Sequence, residues 1–383
     1  MKTKSRPFTA VLMAMTFIVS GAITLPELPD RDQMTVKGYV HDGTNPIGGV
    51  YVTDGFSFVS TDADGSYYMA TDPQAEFIYV ISPKGYNPEC TNGLSRFWSR
   101  LNLTSGAMRC DFELTPVDDT KHKMIVLGDP QMRDDHDHDI FKTDALPDIK
   151  ATVKAAKDAG EDVSVLVLGD MCFNNPETFP RYANYWLGLN TPMYHVPGNH
   201  DKHIVTDASV AVAEYKAAFG PLYYAVNKGK VHYLMFDNVN ITARGAYDSA
   251  ISEDALSWLT KYLSFVPSDN ILVVGVHIPV TDSGSTAEAN KNFLLNLSKY
   301  RTLILSAHRH YGKNLGKYSL SAAADADVEE RIHSALCGAY WYGDVAKDGT
   351  PLGYYLYDVD GTDISWIFRP LGDDSYGQIT IHD

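Results

Sequence analysis

Five short stretches of this chain carry residues able to hold a metal ion, and each lies at the end of an apolar run. Gly128-Asp129-Pro130-Gln131 follows Met124–Leu127, Gly169-Asp170 follows Val163–Leu168, and Gly198-Asn199-His200-Asp201 follows Met193–Val196. His277 closes the run Ile271–Val276, and Ala307-His308-Arg309-His310 follows Thr302–Leu305. Carboxylates, amide oxygens and imidazoles in this mixture suit two hard-to-borderline divalent ions, such as manganese, iron, zinc or magnesium. Each stretch alone has an ordinary reading. A Gly-Asp pair usually makes a turn, and a lone histidine such as His277 is usually hydrogen-bonded in a core. His308 and His310 are a fair metal pair, because residues two apart in extended chain face one way. The five in this order, each at a strand end, read as one site, since ligands of α/β sheets gather beyond the carboxyl ends of the strands.

The apolar runs must then be strands, and their near-continuous character predicts sheets covered on both faces. Helical patterns lie between them. Ile149, Val153 and Ala156 repeat on one face between Pro147 and Gly160, and Ser252 caps a run with Leu256, Leu259 and Leu263 inward. The expectation is an α/β core over residues 120–325, two β-sheets sandwiched between helices. Residues 34–116 read instead as short Val-, Tyr- and Phe-rich strands, hence an N-terminal β-sandwich. Asp62-Ala63-Asp64-Gly65 is a hairpin turn signal there, lacking the other ligands of a calcium loop. Residues 329–383 return to aromatic strands, Ala339–Gly343, Gly353–Tyr357 and Ile364–Phe368, and predict a small C-terminal β-rich unit.

The chain opens with Lys2, Lys4 and Arg6, an apolar run from Phe8 to Val19, and Ser20-Gly21-Ala22. Residues 1–22 are thus expected to be a signal peptide, giving an exported, periplasmic or secreted protein. The run is too short to span a bilayer, and no later segment is long and apolar enough. Acidic residues number 48 against 32 basic ones. That balance excludes bulk binding to nucleic acid, and work on phosphates needs a local source of positive charge. Cys90 and Cys110 are close enough to bridge in an exported protein, with buried free thiols as the alternative. None of the four cysteines has zinc-ligand spacing.

The order of the five stretches resembles the calcineurin-like metallophosphoesterases, whose pattern is Asp-x-His, Gly-Asp, Gly-Asn-His-Asp/Glu, His, then Gly-His-x-His. The likeness covers roughly residues 122–315. The flanking units resemble an exported bacterial subgroup with an N-terminal β-sandwich and a small C-terminal domain. The resemblance implies a first metal on Asp129, Gln131 and His310 and a second on Asn199, His277 and His308, with Asp170 bridging. It also implies His200 facing the substrate phosphate and leaving group, with Asp201 orienting its ring. The reaction would be hydrolysis of a phosphomonoester or phosphodiester by a hydroxide held between the ions. Two positions depart from the pattern. Gln131 replaces a histidine, which weakens the first pocket or favours harder ions, and Ala307 replaces a glycine.

The implied substrate is a phosphorylated small molecule, glycan or lipid. Substrate contacts come from loops without a readable code, so neither the compound nor the oligomeric state is legible. A different class of reading is a surface- or glycan-binding protein with a non-catalytic metal domain. Seven ligand positions and the His200-Asp201 pair argue against it. Four features near the motifs have bland readings: Asp134–Asp139 as a solvated acidic loop, His195 as structural, Arg309 as pointing away, and Tyr340-Trp341-Tyr342 as a packed β surface. His203 is a candidate substrate contact.

Overall fold

The computed structural model describes residues 23–91, 93–104, 106–318, 327–337, 345–346 and 348–372. The expected signal peptide and Tyr340-Trp341-Tyr342 lie outside the described residues. Two sheets form the middle of the molecule. In the first, Met193–His195, Asp162–Val167 and Lys121–Leu127 run parallel, and the antiparallel pair Gly353–Asp360 and Asp363–Pro370 continues from Lys121–Leu127. In the second, the order is Tyr223–Lys228, Val231–Phe236, Ile271–Gly275, Thr302–Ser306, Val328–Ile332 and Lys313–Lys317.

The apolar runs are continuous because both faces of these strands are covered. Along Lys121–Leu127, Met124 and Val126 join the core shared with the second sheet, while Ile125 and Leu127 join the core under the helices. Those helices are Leu146–Asp158, burying Ile149, Val153 and Ala156, and Phe179–Tyr185. The second sheet is covered by Glu253–Leu263, whose first turn is capped by the Ser252 hydroxyl accepting from the Ala255 N–H, and by Lys291–Leu297.

The N-terminal unit is a sandwich. One sheet is built on Val36–His41 and Phe112–Pro116, the other on Tyr51–Thr53 and Phe77–Val80. The Asp62–Gly65 turn forms, with the Gly65 N–H donating to the Asp62 carbonyl at 2.9 Å. It is not a hairpin, however. Phe58–Ser60 pairs with Tyr51–Thr53 in one sheet and Ser66–Met69 with Val36–His41 in the other, so the turn carries the chain between layers. All four cysteines, Cys90 and Cys110 included, are free thiols. Among the described residues no helix is long and apolar enough to cross a membrane.

The sandwich is not a loose appendage. Val52, Ile78 and Val80 belong to the same buried cluster as Leu166 and Tyr224 of the central sheets and Trp258 of the helix Glu253–Leu263. A buried ion pair adds direction to this packing. Lys228 Nζ, 1% exposed, donates to Asp162 Oδ2 at 2.6 Å and to Asn87 Oδ1, and Asn87 donates back to Asp162 Oδ1 at 2.8 Å. One strand of each central sheet and one strand of the sandwich meet in this triad. The C-terminal strands add to the central sheets: Val328–Ile332 lies parallel to Thr302–Ser306, and Gly353–Asp360 lies against Lys121–Leu127.

Candidate metal centre

The five motifs sit where five parallel strands of the two sheets end. Lys121–Leu127, Asp162–Val167 and Met193–His195 deliver Asp129, Gln131, Asp170, Asn199 and His200 from the first sheet. Ile271–Gly275 and Thr302–Ser306 deliver His277, His308 and His310 from the second. The turns that do this are strained. Eight described non-glycine residues have positive φ, and five are Asp129 (37°), Gln131 (39°), Asp170 (52°), His308 (66°) and His310 (60°). A left-handed backbone costs such residues about 1 kcal/mol or more each, and it persists where surrounding structure imposes it, as at ligand sites. The loops interlock closely. The Gln131 N–H donates to the Asp170 carbonyl at 2.6 Å, and a side chain at Gly198 would place its Cβ 2.0 Å from Asp170 Oδ1.

Two groups of potential ligand atoms result, Asp129–Asp170–His310 and Asp170–His277–His308, each within 4.8 Å, and they share Asp170. Asn199 Oδ1 lies 3.0 Å from His277 Nε2, and Gln131 Nε2 donates to Asp170 Oδ2 at 3.3 Å. All seven predicted ligands therefore come together. Asp129, Gln131 and His277 are fully buried and Asp170 is 1% exposed. Asp129 Oδ1 and Gln131 Oε1 are buried and accept no hydrogen bond, and His310 Nε2 lies 3.6 Å from Asp129 Oδ1. A buried, unpaired carboxylate oxygen is costly, and a cation is the partner that removes the cost. The residues present thus fit a pair of divalent ions.

The electrostatics agree. Burial holds the Asp129 carboxyl well above the usual range, and the Asp170 charge adds to this. Burial also works against the charged forms of Asp170 and His277, yet their mutual attraction prevails, lowering the first and raising the second.

Around the ligands lie positioning residues outside the motifs. Asn238, fully buried, accepts from the main-chain N–H groups of His277 and Ile278, both at 3.1 Å, and donates to the Ile278 carbonyl at 2.6 Å. Glu330, also fully buried, accepts from the N–H groups of Val280 and Thr281 and from the Ser306 hydroxyl. Together they fix the loop after Ile271–Gly275. Neither has a local sequence signal, because each acts on main chain remote in sequence.

One expected role changes. The Asp201 carboxylate accepts from the N–H groups of Met171 (2.8 Å), Cys172 (3.1 Å) and Gly198 (2.9 Å), tying two ligand loops together rather than orienting His200. Burial and the Asp170 charge push its pKa up to about 7. His200 Nδ1 instead pairs with Asn174 Oδ1 at 2.9 Å. The Asp134–Asp139 stretch is also not a solvated loop. Asp134 caps the helix Asp135–Ile140, and Asp137 and His138 are buried on its inner side. The Asp before a short run was itself an N-cap signal. His195 is buried against Phe219, ring centroids 4.4 Å apart, in a structural role. Arg309 turns out to Asp282, Nη2 to Oδ2 2.9 Å, and His203 pairs with Glu214 at 2.6 Å.

Comparison with known proteins agrees with this geometry. Residues 122–312 match the calcineurin-like phosphoesterase family, residues 34–117 its N-terminal part and residues 330–383 its C-terminal part. The fold and site define a metal-dependent phosphoric ester hydrolase. The chain belongs to the calcineurin-like phosphoesterase family. Curated proteins give no match. Among solved structures, a purple acid phosphatase from yellow lupin (Lupinus luteus) seeds aligns at 11% identity and TM-score 0.47, covering 84% of this chain and 67% of that one. A 5'-nucleotidase from Candida albicans aligns at 9% and 0.38, covering 66% and 52%. An archaeal phosphodiesterase aligns at 14% and 0.27, covering 64% and 99%. The chain therefore spans about half of the nucleotidase.

Proposed function

We propose that this protein is an exported hydrolase of phosphomonoesters or phosphodiesters of small molecules, glycans or lipids, working with two divalent ions. The observation that carries the reading is Asp170, one buried carboxylate common to two groups of ligands, beside unpaired oxygens of Asp129 and Gln131. Export is supported by the basic start and the apolar run Phe8–Val19.

In this reading Asp129, Gln131, Asp170 and His310 hold one ion, and Asp170, Asn199, His277 and His308 hold the other. Two such ions supply Lewis acidity toward a phosphate and lower the pKa of bound water. The chain's own residues do the rest. Burial of Asp129, Asp170 and His277 keeps bulk water from their charges, so electrostatic interactions at the site are strong. His200 is the only one of the motif imidazoles outside the ligand groups, and it serves the leaving oxygen as proton donor. Asp201 holds the Asn199-His200 turn against the Asp170 turn.

The test is release of nitrophenol from nitrophenyl phosphate and bis-nitrophenyl phosphate with manganese, zinc, iron or magnesium added. We expect chelator-sensitive cleavage, abolished in Asp170→Asn, while His200→Ala loses about a hundredfold or more on an alkyl phosphate, whose leaving oxygen needs a proton, and little on the nitrophenyl esters. Absence of cleavage of both esters with all four metals would sink the proposal.

A further inference from the structure

We propose that Asn174, a neutral amide, sets the orientation and tautomer of His200, the role for which Asp201 is unavailable. The inference rests on the reading of His200 as the proton donor and adds the residue that aims it. Asn174 grips His200 twice. Its Oδ1 pairs with His200 Nδ1 at 2.9 Å, and its main-chain N–H donates to the His200 carbonyl at 2.9 Å. The Cys172 thiol donates to the same carbonyl at 3.2 Å. Phe173 lies flat on the imidazole, centroids 4.6 Å apart with 14° between the planes. Three consecutive residues thus contact one histidine, and they immediately follow the loop of Asp170.

The backbone bears the cost of this arrangement. Asn174 has φ 60°, in the left-handed region, where asparagine is tolerated better than most side chains. Strain of this kind is retained where a function imposes it. An amide oxygen facing Nδ1 accepts a hydrogen bond, so Nδ1 keeps a hydrogen in both the neutral and the charged ring, and the proton passed to the leaving oxygen is the second one, which the imidazolium carries on Nε2 and water restores after each turnover. Both oxygens of Asp201 accept from main-chain N–H groups instead.

The experiment uses the full chain with manganese and three variants. Asn174→Gly keeps the left-handed backbone and removes only the amide. Asn174→Asp keeps the acceptor and serves as the conservative rescue, and His200→Ala is the reference. Each is assayed on a nitrophenyl phosphate, whose leaving group needs no proton, and on an alkyl phosphate, whose leaving group does. In Asn174→Gly we expect kcat to fall about tenfold or more on the alkyl ester, little on the nitrophenyl ester, with KM unchanged and Asn174→Asp close to wild type. Nitrogen-15 NMR of labelled histidine should show the neutral ring of His200 as the Nδ1–H form in wild type and as a mixture in Asn174→Gly. Equal losses on both esters, no loss on either, or an Nε2–H form in wild type would overturn the proposal. Wild-type protein inert toward both esters, yet with the Nδ1–H form lost on Asn174→Gly, would count against the phosphoesterase reading while supporting the clamp.

Discussion

At the scale of single residues, the centre consists of ligands that are visible in the sequence and supports that are not. Asp129, Asp170, Asn199, His308 and His310 were legible because each stands beside glycine, alanine or a second polar residue at the end of an apolar run, and His277 because it is the one polar residue between Val276 and Ile278. Gln131 was legible only through its neighbour, and its unpaired Oε1 is what brings it into the site. Asn174, Asn238 and Glu330 gave no signal, since their partners are main-chain atoms or rings supplied by other loops. Asn238 is the clearest of them to test. Replacing it with leucine, of similar size, leaves two N–H groups and one carbonyl of the His277–Ile278 turn unpaired inside the protein. Each buried group left without a partner costs about 1–3 kcal/mol, and displaced support typically costs a metal ligand about 10–100-fold in affinity. We expect Asn238→Leu to keep the ion on Asp129, Gln131 and His310 and lose much of its affinity for the second. Metal titration should then show the second site weakened about 10–100-fold against wild type, with the first unchanged. Unchanged binding of both ions would refute this.

At the scale of elements, the strands were legible where they were buried on both faces and obscure where they were not. Lys313–Lys317, with no buried residue, lacked a continuous apolar run. The Asp134–Asp139 charges concealed a helix because only Asp137 and His138 of that stretch are buried. What joins elements is also poorly written in local sequence, as the Lys228–Asp162–Asn87 triad shows. It links three sheets through one ammonium group. Lys228→Met would leave the Asp162 carboxylate buried without its cation, which costs about 3–5 kcal/mol. Chemical denaturation should show a loss of that order. Adding Asp162→Asn should recover part of it, and a double variant no better than the single one would contradict the account.

At the scale of the whole molecule, the histidines outside the centre make folding sensitive to acid. Burial pushes His122, His232 and His333 down to about 4. His232 illustrates why: Asn270 Nδ2 donates to its Nε2 at 2.9 Å, and its Nδ1 pairs with Tyr262 at 2.6 Å, so the neutral ring is satisfied and a second proton has no acceptor. An unfolded histidine takes its proton near pH 6.5, a folded one of these only near 4. Between those values the unfolded chain binds more protons, so stability is full above pH 6.5 and falls as pH drops toward 4. Each ring contributes up to about 3 kcal/mol to that loss. Unfolding measured from pH 7.5 to 4.5 should show this limb, and His232→Gln should flatten it by one proton. An unchanged slope in that variant would refute the assignment.

The C-terminal strands bear on how the centre comes into being. The His333 N–H donates to the Ser306 carbonyl at 2.7 Å and the Leu336 N–H to the Gly128 carbonyl at 2.7 Å, just ahead of His308 and Asp129 in the two sheets. Glu330 secures the turn of His277, and Gly353–Asp360 occupies the flank of Lys121–Leu127. Every metal ligand is therefore synthesised before the segments that clasp it. Loss of Val328–Ile332 or Gly353–Asp360 would remove no candidate ligand, yet it would free the loops of Asp129, His277 and His308 from the main-chain and Glu330 contacts that hold them.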